Sequence, residues 1–188
     1  MNQLYLASNQ PSLRDVSRNT IDNACLEAYQ RELDYLMRTL QRLGVDSGDV
    51  EDLAHEVFLV LRRNWHEYDP TRPLKPYLFG IAFRVAASHR RRHWREVPFA
   101  VVDGPDHAPY PAQAFESNQA RALVLAALQR IPIPRRVVLV MHDLDEIPVQ
   151  EVAATLAIPL FTVYSRLRKA RREIETAIHH IQKRSDIR

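Results

Sequence analysis

Apolar residues recur at helical spacing through most of this chain, and the pattern predicts a protein built from helices. Between Ile21 and Leu43 they return every three or four positions, which places them on one face of an amphipathic helix. Gly44 is expected to end this helix. A second helix is predicted from about Ser47 to Trp65, because acidic residues crowd its first turn, where they suit the positive end of the helix dipole. No segment alternates apolar and polar residues in the way that predicts a strand.

Prolines divide the first half of the chain and separate it from the second half. Three of them lie between residues 70 and 76 and are expected to bend the chain before a third helix that begins near Tyr77. Four more lie between Val97 and Asn118, a stretch with no basic residue and with neither the helical nor the strand periodicity of apolar residues. A loop of this length is uncommon inside a compact domain. We therefore predict an interdomain linker there.

The second half is predicted to form further helices that end in a helix-turn-helix. An apolar-periodic helix is interrupted by the sequence IPIP, and RRVVLVMHDL follows as another helix. The segment from Ile147 to Ile178 then predicts two helices separated by a tight turn, with Ala157 in the turn and Pro159 at the start of the second helix. We expect Glu151 and Arg166 to form a weak brace between these helices.

Together these patterns predict an all-α fold, with two small helical domains joined by a flexible linker and a helix-turn-helix in the second domain. Hydrophobic residues make up 46% of the chain and charged residues 26%, with only four glycines, which suits a folded, helix-rich protein. The predicted parts are an N-terminal extension (1–20), a first helical domain (21–96), the linker (97–118), a second helical domain (119–182) and a C-terminal tail (183–188).

The basic residues fall into two blocks. Residues 71–95 carry seven basic residues and no acidic one, and residues 121–188 carry twelve basic against seven acidic residues. Residues 96–120 between them carry four acids and no base. Two cationic blocks separated by an acidic segment predict two contacts with one extended polyanion. A solvated basic helix face is the alternative that charge alone leaves open.

The helix-turn-helix suits the major groove of DNA. Its second helix has apolar residues at Val163, Leu167 and Ala170, so the side chains between them are expected to project outward, where they can reach base edges and phosphates. The alternative is a helical hairpin whose basic face meets only water. Phe161, at the start of the helix, either packs on the preceding helix or approaches the DNA. The predicted DNA contacts are Thr162, Tyr164, Ser165, Arg166, Arg168, Lys169 and Arg172.

Little in the sequence predicts an enzyme, a cofactor or a metal. The chain has no glycine-rich phosphate loop and no HExxH motif, and its single Cys25 has no matching partner. His89 and His93 lie four residues apart, but the arginines around them repel a cation, so we expect solvent-facing histidines. One cysteine, no apolar run of membrane-spanning length and no signal-type N-terminal segment predict a cytoplasmic location without a membrane span.

Three segments carry a resemblance to a known family: DVEDLAHEVFLVLRR (49–63), RPLKPYLFGIAFRVAASHRRR (72–92) and LQRIPIPRRVVLVMHDLDEIPVQEVAATLAIPLFTVYSRLRKAR (128–171). In this order they resemble bacterial RNA polymerase sigma factors of the extracytoplasmic-function (ECF) group, over about residues 21 to 180. The resemblance implies an alternative sigma factor that binds RNA polymerase core and directs sequence-specific promoter recognition and transcription initiation. The rival interpretation is a free-standing helix-turn-helix regulator, which leaves the acid-free basic block unexplained.

The resemblance also implies protein partners. The acidic second helix would dock on the clamp helices of the largest polymerase subunit, and the second domain would contact the flap of the second largest. The resemblance leaves open an anti-sigma factor as an inhibitory partner, which no residue of the sequence itself indicates. Phe58 is expected to lie at least partly in the core. The predicted polymerase contacts are Asp52, His55, Glu56 and Phe58.

For promoter DNA, the resemblance assigns the minus-ten element to the third helix and the minus-thirty-five element to the helix-turn-helix. The third helix and the turn beside it would capture a base flipped out of the melted element. Many members of the group carry asparagine where this chain has Arg84; arginine only donates hydrogen bonds, so the preferred base is left open. The predicted minus-ten residues are Tyr68, Arg84 and Ser88, with Arg90, Arg91, Arg92 and Arg95 as backbone contacts.

Overall fold

The computed structural model describes residues 23–96 and 115–185. Residues 1–22, which include the N-terminal extension, residues 97–114 of the predicted linker and residues 186–188 lie outside these ranges. The side chains of residues 93–96, 115–118 and 184–185 are also outside the described part. Within the described ranges the chain is helical and has no strand, which confirms the all-α prediction. The helices are α1 (residues 23–31), α2 (Leu33–Leu43), α3 (Val50–Arg63), α4 (Leu74–Glu96), α5 (Phe115–Gln129), α6 (Ile133–Leu139), α7 (Val149–Leu156) and α8 (Leu160–Ser185).

Two shorter turns complete the fold. A 3₁₀ turn at Trp65–Glu67 follows α3, and a π-helical turn at Val140–Leu144 continues α6. The helix α5 begins within the stretch that the sequence assigns to the linker. None of the helices in the described ranges is both long and apolar enough to cross a bilayer.

The first predicted helix has an interruption that its apolar pattern does not predict. The pattern runs unbroken to Leu43, yet a turn at Glu32 separates α1 from α2. The Glu32 N–H donates to the Tyr29 carbonyl three residues back, at 3.1 Å, so the chain tightens locally. The predicted end at Gly44 is correct, because Gly44 adopts φ 93°, a left-handed conformation that side chains disfavour.

The prolines interrupt the third helix less than the sequence predicts. The helix α4 begins at Leu74 rather than near Tyr77, so Pro76 lies inside its first turn. A proline is tolerated there because the first N–H groups of a helix have no intrahelical acceptor to lose. Pro134 occupies the same part of α6 for the same reason.

The two halves of the chain pack against each other. The apolar faces of α2, α3 and α4 form the core of the first half, where Leu40, Val57 and Phe79 are fully buried. In the second half α6 and α7 pack on α8, with Val152 and Val163 fully buried. Contacts of α2 with α5 and α6, and of α4 with α7, join these two cores into one continuous cluster.

Polar groups also join the two halves of the chain. The Arg42 guanidinium pairs with the Asp145 carboxylate at 2.5 Å, and the Tyr35 hydroxyl donates to the other Asp145 oxygen at 3.1 Å. Arg136 of α6 donates to the Leu43 carbonyl at the end of α2, at 3.2 Å. The Asp145 side chain is only 2% exposed, and this burial raises its pKa although the Arg42 charge opposes the shift.

Candidate nucleic-acid interface

A cavity of about 320 Å³ lies between the α3–α4 turn, α4 and α7. Aromatic rings form one of its sides: Tyr68 stacks on Trp65 with ring centroids 5.0 Å apart and tilts against Tyr77 at 5.3 Å. The Tyr68 hydroxyl donates to the Arg72 carbonyl at 2.6 Å, which holds the ring in place. The lining residues are Glu67, Tyr68, Asp69, Arg72, Pro73, Pro76, Tyr77, Gly80, Arg84, Glu151, Ala154 and Thr155.

The cavity brings together two residues that the sequence predicted for the minus-ten element. Tyr68 lies in the α3–α4 turn and Arg84 in the middle of α4, and both line the cavity. Ser88, one turn further along α4, is half-buried and does not line it. Burial raises the pKa of Tyr68, and that of Tyr77 as well, so both phenols keep their protons at neutral pH. The site therefore offers neutral aromatic faces beside the Arg84 guanidinium.

The turn beside the cavity is held by its own hydrogen bonds. The Asp69 carboxylate accepts from the Thr71 N–H at 2.9 Å and from the Thr71 hydroxyl at 2.7 Å. These bonds lower the pKa of Asp69, because they favour its charged form. The cavity thus has a fixed carboxylate at its rim as well as a cation.

The third side of the cavity comes from α7, in the other half of the chain. A Cβ added at Gly80 of α4 would lie 3.2 Å from the Thr155 Cγ2 methyl, so glycine at this position permits the close approach of the two helices. Glu151 also faces the cavity, and its Oε2 atom is buried without a hydrogen-bond partner. The predicted brace between Glu151 and Arg166 is therefore wrong, because Glu151 turns toward α4 instead.

The basic end of α4 is not uniformly available to a polyanion. Arg91 is exposed, whereas Arg92 pairs with Glu56 of α3 at 3.2 Å. Arg90 is half-buried, and burial followed by the charge of Arg91 lowers its pKa. The side chain of Arg95 lies outside the described residues.

The histidine prediction on α4 is only partly tested. His89 is half-buried rather than solvent-facing, because the start of α3 packs beside it and its Nε2 lies 3.6 Å from Asp49. The side chain of His93 is outside the described part. Among the described residues, no group of three or more His, Cys, Asp or Glu side chains is placed to hold a metal.

Three of the four predicted polymerase contacts, Asp52, His55 and Glu56, share one stripe of α3. Asp52 and His55 are exposed and Glu56 is half-exposed. Phe58 is half-buried and packs on Tyr29, with ring centroids 4.8 Å apart. This confirms the prediction that Phe58 lies partly in the core. Leu59, which is 46% exposed, continues the stripe seven residues after Asp52. The sequence did not single out Leu59 as a polymerase contact, although its spacing from Asp52 places both residues on the same helix face.

The helix α8 presents the outward face that its sequence predicts. Val163, Leu167 and Ala170 are buried. The preceding turn holds Ala157 at φ 51° and ψ 46°, a left-handed conformation that costs a non-glycine residue about 1–2 kcal/mol. Of the predicted DNA contacts, Thr162 and Arg166 are half-buried, and the exposed members are Tyr164, Ser165, Arg168, Lys169 and Arg172.

Arg171 is separated from this exposed set. Its guanidinium donates two hydrogen bonds to Asp143, at 2.8 Å and 2.7 Å. This pairing raises the pKa of Arg171, and it anchors the π-helical turn to α8. A paired arginine is less available for a phosphate than the exposed Arg168, Lys169 and Arg172 on the neighbouring face.

Comparison with known proteins covers both halves of the chain. Residues 28–96 match the family described as Sigma-70 region 2, and residues 121–174 match the family described as Sigma-70, region 4. Curated relatives include the ECF RNA polymerase sigma factor SigE of Mycolicibacterium smegmatis, 27% identical over 89% of this chain and 68% of the relative. Another is the ECF RNA polymerase sigma factor RpoE of Cereibacter sphaeroides, 25% identical over 84% of this chain and 88% of the relative. The chain belongs to the ECF group of RNA polymerase sigma factors.

The fold of this sigma factor also resembles solved structures. CnrH in complex with the cytosolic domain of CnrY has a TM-score of 0.63 at 18% identity, over 88% of this chain and 96% of that one. The sigma factor RpoE in complex with the anti-sigma factor NepR from Bartonella quintana has a TM-score of 0.62 at 18% identity, over 81% of this chain and 98% of that one. At this identity the likeness concerns the fold.

Membership in this group decides between the two functions that the sequence left open. The sigma factor binds RNA polymerase core and promoter DNA and directs transcription initiation. A free-standing regulator needs only the helix-turn-helix, whereas here the first half matches region 2 as well. The roles of individual residues remain predictions.

Proposed function

We propose that this sigma factor reads its promoter at two separate surfaces while the exposed stripe of α3 holds the polymerase. The cavity lined by Tyr68 and Arg84 would take a flipped base of the minus-ten element, and the exposed face of α8 would read the minus-thirty-five element. The observation that carries this proposal is the convergence of Tyr68 and Arg84 on one cavity from different elements.

The chemistry of the cavity suits a base that has left the stack. A flipped base recovers stacking on an aromatic side chain and hydrogen bonds along its edge. Tyr68 offers the ring, and Arg84 offers donors but no acceptor. We therefore expect a preference for bases that present acceptors toward Arg84, such as guanine through N7 and O6.

Both surfaces cannot engage one promoter while α7 stays packed on α4. Elements centred near positions minus ten and minus thirty-five lie about 25 base pairs apart, or about 85 Å of duplex at about 3.4 Å per pair. A compact body of this length is about 40 Å across. We propose that α4 and α7 separate on promoter binding, which removes the α7 side of the cavity and leaves Tyr68 and Arg84 open to a base. Residues 97–114, fully extended, reach at most about 60 Å, enough to permit this separation.

The remaining partners follow from the same proposal. We propose that the sigma factor acts in the cytoplasm, where polymerase and promoter are found, and that it catalyses no reaction of its own. RpoE and CnrH were solved with an anti-sigma factor and with the cytosolic domain of CnrY, respectively. We extend this to an inhibitor of the anti-sigma type for the present chain.

Replacing Arg84 with alanine is expected to change which bases are accepted in the minus-ten element. The variant loses the guanidinium donors in the cavity, so the preference at one position should relax by about 5- to 100-fold. The measurement is transcription by the reconstituted holoenzyme from a promoter library randomised in this element. Arg91→Ala is the control, because Arg91 is exposed at the basic end of α4. This variant should bind all promoter sequences more weakly to the same degree, and the slope of log affinity against log salt concentration should become smaller by about one. Equal loss at every sequence after Arg84→Ala contradicts the base-reading role.

Replacing Arg168 with alanine is expected to act on the other element. Arg168 is exposed on the outward face of α8, and the loss of one base contact costs about 1–3 kcal/mol of discrimination. Selection from a library randomised in the minus-thirty-five element should show a relaxed preference, while the minus-ten preference stays unchanged. A change confined to the minus-ten element contradicts the assignment of α8.

A further inference from the structure

Phe161 is the most exposed of the large apolar side chains in the described part of the chain, at 75%. It lies in the first turn of α8, three residues before Tyr164, which is 53% exposed. Residues three apart on a helix share a face, so the two rings form one exposed aromatic patch. The sequence allowed two orientations of the Phe161 side chain, either packed on α7 or directed outward toward DNA. Its exposure rules out the first.

The surroundings of this patch are cationic. From Ala157 to Arg172 the chain contains no acidic residue, and Arg168, Lys169 and Arg172 are exposed on the same helix. Large apolar side chains kept in water mark surfaces that bind a partner. The unbroken run without acids favours a polyanion as that partner.

We propose that Phe161 is a specificity-determining residue that reads the 5-methyl group of a thymine in the minus-thirty-five element. The inference rests on the proposed function of α8 as the reader of that element. A recognition helix contacts base edges with its N-terminal residues, which is where Phe161 lies. Phenylalanine has no donor or acceptor, and the thymine methyl is the apolar group that the major groove presents. Phe161 can therefore distinguish thymine, while Ser165 and Arg168 read polar edges.

The test removes the methyl group without touching any hydrogen bond. The reconstituted holoenzyme first selects its preferred minus-thirty-five sequence from a randomised library. Each thymine of that sequence, on either strand, is then replaced by deoxyuridine, and binding is measured by competition at fixed salt. For the sigma factor without mutations, we expect deoxyuridine at one or two of these positions to lower the binding affinity about three- to fivefold. This is the effect of one buried methyl group.

Variants assign that loss to a side chain. Phe161→Ala should bind the thymine promoter more weakly and should no longer distinguish thymine from deoxyuridine at that position. Phe161→Leu, which keeps an apolar group, should restore part of the distinction. Tyr164→Ala is the matched control on the same face: whatever its overall affinity, we expect it to keep the full deoxyuridine loss.

Three outcomes overturn the proposal: a selected sequence without thymine, no effect of deoxyuridine, or an unchanged deoxyuridine loss in Phe161→Ala. If the deoxyuridine loss is unchanged and Phe161→Ala also binds core polymerase more weakly, Phe161 contacts the polymerase instead of the DNA. The Arg168→Ala experiment separates this failure from failure of the proposed function. If Arg168→Ala changes the minus-thirty-five preference and Phe161→Ala does not, α8 reads the element and only the role of Phe161 is wrong.

Discussion

A disulfide between residues 80 and 155 is expected to abolish promoter-specific initiation until reductant is added. In the Gly80→Cys, Thr155→Cys double variant the new side chains face each other, since a Cβ at position 80 lies 3.2 Å from the Thr155 methyl. The Thr155 Cγ2 branches from Cβ as a cysteine Sγ does, so this distance corresponds to the separation between one Cβ and the opposite Sγ of a disulfide, which is about 3 Å. The bond would hold α7 against α4 and keep the two halves of the chain in one compact body. Because a compact chain cannot span both promoter elements, we expect at least a tenfold loss of transcripts.

The experiment has internal controls. The sigma factor is oxidised alone, the crosslink is verified by mobility on a non-reducing gel, and core polymerase and promoter are then added with and without reductant. Each single variant should remain active under both conditions, since Cys25, the only native cysteine, is buried in the first half. Full initiation by the crosslinked protein contradicts the proposed separation of α4 from α7.

Replacing Arg136 with alanine is expected to lower the free energy of unfolding more than the removal of any exposed arginine does. Arg136 is buried and donates to the Leu43 carbonyl at 3.2 Å, to the Gln129 side chain at 2.8 Å, to the Gln129 carbonyl at 2.9 Å and to the Ile131 carbonyl at 3.2 Å. Burial, followed by repulsion from Arg90, lowers the pKa of Arg136 to about 10, so it is still a cation at neutral pH. Removing it leaves these acceptors without their donor. We expect the free energy measured by urea unfolding to fall by about 2–3 kcal/mol, since buried acceptors left without a donor cost about 1–3 kcal/mol.

The adjacent arginine provides a matched control. Arg135 lies on the same helix but is about one third exposed, and it pairs with Glu173 at 2.8 Å. Exposed pairs contribute little because water screens them, so Arg135→Ala should lose less than about 1 kcal/mol. Arg136→Lys should recover only part of the loss, because an ammonium cannot reproduce the fork of guanidinium donors. Equal, small losses for Arg135→Ala and Arg136→Ala would show that the buried network does not contribute as proposed.

Several predictions that depended on residues near one another in the sequence are correct, although the turn at Glu32 was not predicted. The end of α2 at Gly44, the helix-turn-helix and the outward set on α8 all follow from spacing of three or four residues or from the backbone preference of one residue. These properties depend on residues that are near one another in the sequence. Local rules also have limits: Pro76 marked a bend, yet the first turn of α4 accommodates it.

Only the tertiary structure decided which helices meet. No pattern in the sequence pairs Arg42 with Asp145, places Glu151 at the cavity of Tyr68 and Arg84, or joins Arg92 to Glu56. Each of these contacts depends on how the side chains of separate helices interlock, and that is determined by the packing of the whole core. The sequence by itself determined the helices and which of their faces are basic and exposed; only the packing of α7 on α4 places α7 residues beside Tyr68 and Arg84.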